Sequence, residues 1–436
     1  QTCALPIYSN VQVLVNAINE IIGSNGSTID WTTTSNYRKG IDADMKQLAS
    51  DISNGTVGGL LVYDCNPVYT YNDGRKLGEA ISKLPLSVSF NSTMDETTEC
   101  CKYVIPSHHW LESWGDAEPK SGTISLIQPL INPLFKTRSW QSSLMKLAGM
   151  SGDYENNVRT HWIDKLGGED NWNKALQDGL LPVEASTASI STFDSTKVAD
   201  AATALASIKS ANIECIIYEN VGVGNGKQAN NPWLQELPDP ISKVTWDNYA
   251  MISPAMAKSL LNIDILNEND KKQADKYEVH PEKPVIKISV NGKSVELPAM
   301  IIPGMHPAVI AVAAGYGRES AKPEMTGKNI GLAAAGAGKN VYPLVSLSGN
   351  DFSYWGAASV AVTGATYPLA QTQVHAFSEG RPILFETSLA EYKANPEKVL
   401  EEPRTERQNL LAEGKTDFVK DATIYPNYRS EEHTSE

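Results

Sequence analysis

Between residues 42 and 105 the hydrophobic period of the chain switches repeatedly, and no other feature narrows the fold as much. Asp42 to Ser53 has helical spacing and stops at Asn54-Gly55, and "VGGLLVY" (57–63) is an apolar, β-rich run. "GRKLGEAISKL" returns to a helix and "LSVSF" to a strand, while "DETTECCKYVI" runs from a short helix into a third strand. Strands joined through helices pair in parallel, with the helices packed on the sheet. With "VQVLVNAINEII" ahead of them, these segments predict an α/β domain over residues 8–110, its parallel sheet covered on both faces. Ligands of such sheets sit beyond the carboxyl ends of the strands. Two loops fall there, "DCNPVYTYNDG" after the first strand and "NSTMDET" after the second.

The rest of the chain has a different texture. Residues 111–240 are less regular, with Trp-rich amphipathic pieces such as "WIDKLGGEDNWNKALQDGL" and a stretch of low hydrophobicity near 184–197. From 241 to 395, "VIKISVNGKSVELPAMIIP", "AVIAVAAGYG", "NVYPLVSL" and "SVAVTGATYPLAQTQVHAF" are short β-rich runs punctuated by Gly, Pro and Asn. That pattern predicts a mostly β domain, a barrel. Residues 396–428 turn polar and charged, as a linker would. The two ends read as something else: QTCALPI (1–7) and RSEEHTSE (429–436) are what the opposite strands of one sequencing adapter encode in frame. They are set aside from the fold.

The formal charge is −14; Arg429 with Glu431, Glu432 and Glu436 accounts for −2, leaving −12. Such an acidic chain is not built to hold nucleic acid through phosphate contacts. No run of about 18 apolar residues occurs, so no direct membrane span is expected. Cys3 lies in the adapter segment; Cys65, Cys100, Cys101 and Cys215 have no CxxC spacing, so neither a zinc nor an iron–sulfur motif is visible.

"CKYVIPSHHWLESWGD" (101–116) gathers His108, His109, Glu112 and Asp116. Adjacent histidines on an extended segment point to opposite sides, and Pro106 and Gly115 leave room for little helix. Hydrogen-bonded structural histidines in a cleft wall are the expectation, not metal ligands. "NVGVGNGK" (220–227) lacks the pattern of a P-loop, and "AAAGAGKN" (333–340) opens no helix, so both read as turns. Ser353 or Ser348 with His375 and Asp351 has no nucleophile elbow around it.

Taken in order, these pieces resemble the molybdopterin oxidoreductase superfamily. The strand followed by a "G-x-N-P" loop corresponds to Asp64-Cys65-Asn66-Pro67, and the later "E-T" element to Asp95-Glu96-Thr97. "A-D-V-V-L-P…L-E…G" corresponds to Cys101 through Pro106 with Leu111, Glu112 and Gly115. "NNPWLQELPDPISKVTWDNYAMISPAMAKSL" (230–260) looks like that family's entry into its C-terminal barrel. Within the superfamily, "YVIPSHHWLESWGDAEPKSGTISLIQPLINPLF", "NPWLQELPDPISKVTWDN" and "QTQVHAFSEGRPILFETSLAEY" are similar to the large iron–sulfur subunit of alternative complex III, a quinol:electron-acceptor oxidoreductase.

That resemblance implies a molybdopterin-like half without its own molybdenum cofactor, followed by a half holding iron–sulfur clusters. It implies no catalytic or metal-binding residue in this stretch. Asn66, Pro67, Asp95, Glu96 and Thr97 would line a vestigial pterin cleft. The implied partners are a membrane-bound quinol-oxidising subunit and cytochrome c subunits, and the implied location is the periplasmic face of the bacterial inner membrane. Two other readings stand beside it: a working molybdenum oxidoreductase, and an extracytoplasmic binding protein using the α/β cleft. The sequence departs from the family where Asp64-Cys65 replaces a small glycine-containing loop. Asp64, Asp73, Asp95, Glu96 and Glu99 outnumber Arg75 and Lys102 there, so an acidic rim hostile to a pyrophosphate is expected.

Overall fold

The computed structural model of the chain describes residues 9–37, 40–182, 193–207, 211–266, 277, 280–320, 330–349, 351–374 and 387–399, with 401 and 405. It divides into a unit ending at Thr372 and a second unit beginning at Gln373.

After helix α1 (Ser9–Ile21), the first unit builds its parallel sheet from α2 (Asp42–Ser53), β1 (Gly59–Val62), α3 (Pro67–Thr70), α4 (Gly74–Lys83), β2 (Leu86–Ser89), α5 (Glu96–Cys100) and β3 (Tyr103–Val104). β1 pairs with β2 and β2 with β3, all parallel, Leu61 opposite Val88 and Val88 opposite Tyr103. Ala49, Ile52, Leu77 and Ile81 of α2 and α4 form its core with Val68, Leu84 and Cys100. The helices α2 and α4 pack on one face. On the other, Val88 is buried, Leu61 is about half exposed and Tyr63 stacks on Trp140 at 4.7 Å between ring centroids.

Residues 111–240, expected to be an irregular or helical connecting region, contain helices and also a small sheet. β4 (Gly115–Lys120), β5 (Thr123–Ile127) and β6 (Leu180–Pro182) form an antiparallel sheet, with α6 (Trp140–Leu147), α7 (Tyr154–Leu166) and α8 (Glu169–Asp178) between β5 and β6. Val158, Trp162, Trp172, Ala175 and Leu181 close its core, and the Trp162 indole donates to Asp116 at 2.7 Å. The strands escaped notice because β4, "GDAEPK", is exposed along nearly its whole length and carries no alternation. Most of the low-hydrophobicity stretch, 183–192, lies outside the described residues.

α9 (Thr196–Ala206) leads to β7 (Glu214–Glu219), and then follow α10 (Pro232–Glu236), β8 (Ala250–Ile252), α11 (Pro254–Leu261), β9 (Glu282–Val290), β10 (Lys293–Ile301), β11 (Val309–Ala314), β12 (Ser346–Ser348), β13 (Asp351–Ser353) and β14 (Trp355–Pro368). Six of these strands close a barrel in the order β10-β8-β11-β7-β14-β9. The barrel therefore takes its first strand from "ECIIYE", ahead of the predicted start at 241. That strand enters parallel to β11, Glu214 opposite Val309, a pairing across ninety-odd residues that local pattern does not reveal. β9 and β10 join through Asn291-Gly292, both at positive φ (48° and 77°), the backbone that a tight two-residue hairpin needs. Ile286, Ile288, Leu297, Ile310, Val312 and Ile252 fill the interior. The last barrel strand ends at Pro368, and "HAF" (375–377) lies outside the described residues. In the second unit, α12 (Leu389–Ala394) is capped by Ser388, whose side chain accepts from the Glu391 amide, and α13 (Pro396–Val399) follows.

Truncating a fully buried barrel side chain removes its transfer free energy and leaves a cavity. Ile288→Ala is expected to lower the unfolding free energy by about 2–5 kcal/mol, read as a lower urea midpoint. A change below about 0.5 kcal/mol, typical of surface positions, would contradict this core.

Candidate functional site

The two predicted loops do meet. β1 ends in a turn at Asp64, a non-glycine residue at φ 52°, which swings Cys65 and Asn66 over the end of the sheet. Pro67 occupies the first turn of α3, where its missing N–H costs nothing. β2 delivers Asn91 and Asp95, and Asp95 caps α5 by accepting from the Thr98 amide at 2.7 Å. Burial pushes the Asp95 carboxyl above its ordinary range, against the Thr98 hydrogen bonds that lower it.

Across this junction the Asn66 amide nitrogen donates to Glu96 Oε2 at 2.6 Å. Asn66 Oδ1 accepts from the Thr97 amide (3.1 Å) and the Thr97 hydroxyl (2.7 Å). The Val68 amide, behind Pro67, donates to Thr97 Oγ1 at 3.0 Å. Asn66, Pro67, Asp95, Glu96 and Thr97 thus lie at one rim.

The residue that organises the rim comes from elsewhere. Arg318, just past β11, donates from Nε to Glu96 Oε1 (2.7 Å) and from Nη2 to Glu96 Oε2 (2.6 Å). Its Nη1 reaches the Gly226 carbonyl at 2.7 Å, and its guanidinium lies 4.7 Å from the centre of the Tyr69 ring. Arg318 is 6% exposed and Glu96 4%. Burial opposes the Arg318 charge, but the hydrogen bonds and charge of Glu96 outweigh it and hold the guanidinium above its ordinary pKa. Tyr69, its hydroxyl pushed far up by burial, stays a neutral donor to the Tyr316 carbonyl at 2.7 Å. Removing one partner from such a pair leaves a buried charge uncompensated, at a cost of about 3–5 kcal/mol.

The expected acidic excess is not found. Lys227 pairs with Asp64 at 2.6 Å, and Lys293 (3.3 Å) and Lys76 (3.8 Å) with Asp73. Lys227 and Lys293 arrive from more than 160 residues downstream, so a local charge tally missed them. These pairs are exposed and contribute at most about 1 kcal/mol each. They neutralise the rim and at the same time occupy its cations. Three glycines beside the rim face the chain itself. A Cβ on Gly226 would sit 2.6 Å from the Tyr69 ring, one on Gly317 1.9 Å from the Asn340 nitrogen, and one on Gly338 2.5 Å from Asn248 Oδ1. Beside the rim, a cleft of about 640 Å³ opens between α3–α4 and the barrel, its walls carrying Asp73, Glu96, Glu296 and Glu319 with Arg75, Lys76, Lys293 and Lys339.

Arg318, Tyr69 and Gly226 were missed by sequence reasoning. "AVIAVAAGYG" read as barrel strand and "NVGVGNGK" as a turn; both are correct locally, but neither contains its partner. In that turn Asn220 Oδ1 accepts the Gly222 and Val223 amides, at 2.7 and 3.0 Å. In the other glycine loop the Gly338 and Lys339 amides donate to Asp247 and Asn248.

The remaining candidates have structural partners. His108 Nδ1 meets Thr137 Oγ1 at 2.7 Å, and His109 Nδ1 accepts from the Leu111 amide at 3.3 Å. Glu112 accepts from the His109 amide (2.9 Å) and the Leu134 amide (3.0 Å). Among the described residues no three His, Cys, Asp or Glu side chains gather as metal ligands would. Ser353 donates to the Trp355 carbonyl at 2.8 Å and Asp351 accepts from Ser9 at 2.7 Å, while His375 lies outside the described residues. Cys215, inside the barrel, has its thiol pushed up to about 12 by burial. No described helix is long and apolar enough to cross a membrane.

No protein-family model matches the chain. In sequence it is 34% identical, over 119 residues, to the menaquinone reductase, molybdopterin-binding-like subunit of Nitratidesulfovibrio vulgaris (strain Hildenborough), a match covering 26% of this chain and 17% of that protein. In fold it is similar to acetylene hydratase from Pelobacter acetylenicus, with a TM-score of 0.51 and 12% identity, over 72% of this chain and 46% of that one. At that identity the likeness is one of fold. In both cases less than half of the other protein is spanned.

Glu112 also yields a pH test. The Leu134 and His109 amides hold its carboxyl below the ordinary 4.5. A lowered folded pKa means the tie to Leu134 is complete above about pH 4.5 and is lost as pH falls further. Hydrogen exchange is expected to show a protected Leu134 amide near neutrality, with protection declining below pH 4.5. Glu112→Ala should abolish protection throughout. Equal protection in the wild type and the variant would contradict the assignment.

Proposed function

We propose, from the relationship of this chain to the molybdopterin oxidoreductase superfamily, that it is the molybdopterin-like scaffold part of an electron-transfer subunit in a quinol-oxidising respiratory complex of the alternative complex III kind. The observation that carries this reading is the Arg318–Glu96 pair with Asn66 and Thr97 around it. A pterin dinucleotide brings a pyrophosphate, which needs free backbone donors, cations and small residues. At this rim Arg318 and Lys227 are paired, the Asn66 amide is bonded to the Thr97 hydroxyl and to Glu96, and Gly226, Gly317 and Gly338 face side chains and backbone of the same molecule. The described residues do not fit the group.

The role that follows is positional. A sheet and a barrel locked together by a buried ion pair form a rigid body, and rigidity serves a subunit that must hold redox centres at fixed separations. The iron–sulfur clusters of this reading lie in a downstream part of the subunit. Its partners are a membrane-bound quinol-oxidising subunit and cytochrome c subunits, at the periplasmic face of the inner membrane. Quinone chemistry is the part supported by the name of the Nitratidesulfovibrio relative.

The test is to purify the full-length subunit with its clusters, denature it, and assay released molybdenum and pterin. Both are expected at far below one per subunit, with iron and sulfide present. Near-stoichiometric molybdenum or pterin would overturn the scaffold reading in favour of a working molybdenum oxidoreductase. Absence of iron and sulfide as well would point to a small-ligand binding protein.

A further inference from the structure

The loop from Gln128 to Ser139 takes no part in the rim, and it concentrates exposed apolar residues in one short run. Seven consecutive residues, Leu130 to Lys136, are exposed, and four of them are large and apolar. Leu130 is 75% exposed, Leu134 72% and Phe135 76%, and Trp110, beside the base of the loop, is 63% exposed. Single exposed apolar residues are ordinary; a run of them on one loop next to an exposed tryptophan is not.

The loop is held in shape. The Leu130 and Ile131 amides donate to the Leu111 carbonyl at 2.8 and 3.2 Å, which sets them beside Trp110. Glu112 receives the Leu134 amide at 3.0 Å, and Thr137 meets His108 at 2.7 Å. Pro129 and Pro133 fix the backbone further. The entropy of ordering the apolar residues has therefore already been lost in the free chain, which lowers the cost of binding through them. Lys136 and Arg138 follow Phe135, both exposed, at the edge of this apolar run in a chain whose net charge is −14.

From this we infer that the 130–138 loop, with Trp110, is an insertion element for an anionic lipid surface. A docking face for a protein presents one side to its partner and buries the other. Here the side chains of Leu130, Leu134 and Phe135 are each more than seven-tenths exposed, the condition for immersion rather than lateral contact. Leucine and phenylalanine enter the acyl boundary, tryptophan settles at headgroup level, and cations at the shoulder meet anionic headgroups. The inference does not depend on the proposed electron-transfer role.

The test is co-sedimentation of the chain with vesicles of equal parts phosphatidylglycerol and phosphatidylcholine, and with phosphatidylcholine alone. Binding is expected to the mixed vesicles and to weaken with added salt. Leu134→Ser with Phe135→Ser should reduce it more than tenfold. Lys136→Gln with Arg138→Gln, which alters no packing, should cost roughly fivefold per cation and remove the salt dependence. No binding by the wild-type chain, equal binding to phosphatidylcholine alone, or binding unchanged in both variants would overturn the inference. So would a photo-crosslinker placed at Phe135 in native membranes that yields adducts to polypeptide and none to lipid.

Discussion

Glu96 and Arg318 are 222 residues apart in sequence and share two hydrogen bonds in a buried junction. Much else in the first unit is arranged around that contact. Glu96 begins α5 because Asp95 caps it, and α5 sits where β2 ends. Arg318 is placed by β11, which is fixed in the barrel by β7 on one side and β8 on the other. The pair joins the sheet to the barrel where Tyr69 of α3 already packs in the barrel core, and the Tyr69 ring under the guanidinium and the Gly226 carbonyl beside it complete the desolvated surroundings.

A buried ion pair is a costly way to join two domains, since both charges leave water and only good geometry and further hydrogen bonds repay the loss. The bidentate fork, the Asn66 donor and the Gly226 acceptor supply those bonds. What the arrangement secures is orientation: a planar guanidinium accepts a carboxylate in few poses. The same groups that would serve a phosphate in an open cleft are turned here toward each other.

The α/β half was legible because its signal is local. Four changes of period between residues 57 and 105 gave the parallel sheet, and the rule that loops meet at strand ends brings Asn66 to Glu96. Barrel class was legible from the short β runs after 285. What stayed hidden is non-local. β7 lacks a neighbouring strand in sequence, so the barrel was begun too late; β4 carries no alternation, so the middle module read as irregular. Charges counted along the sequence gave an acidic rim, whereas Lys227, Lys293 and Arg318 reach it from the far side of the chain.

The measurement that bears most directly on the lock between sheet and barrel is a double-mutant cycle on Glu96→Leu and Arg318→Met, read by urea unfolding. Each single variant should lose about 3–5 kcal/mol, because it strands one buried charge. The double variant, with neither charge left, should lose clearly less than the sum, a coupling of more than about 1 kcal/mol. Strictly additive losses, or single variants as stable as the wild type, would contradict a junction held by this pair.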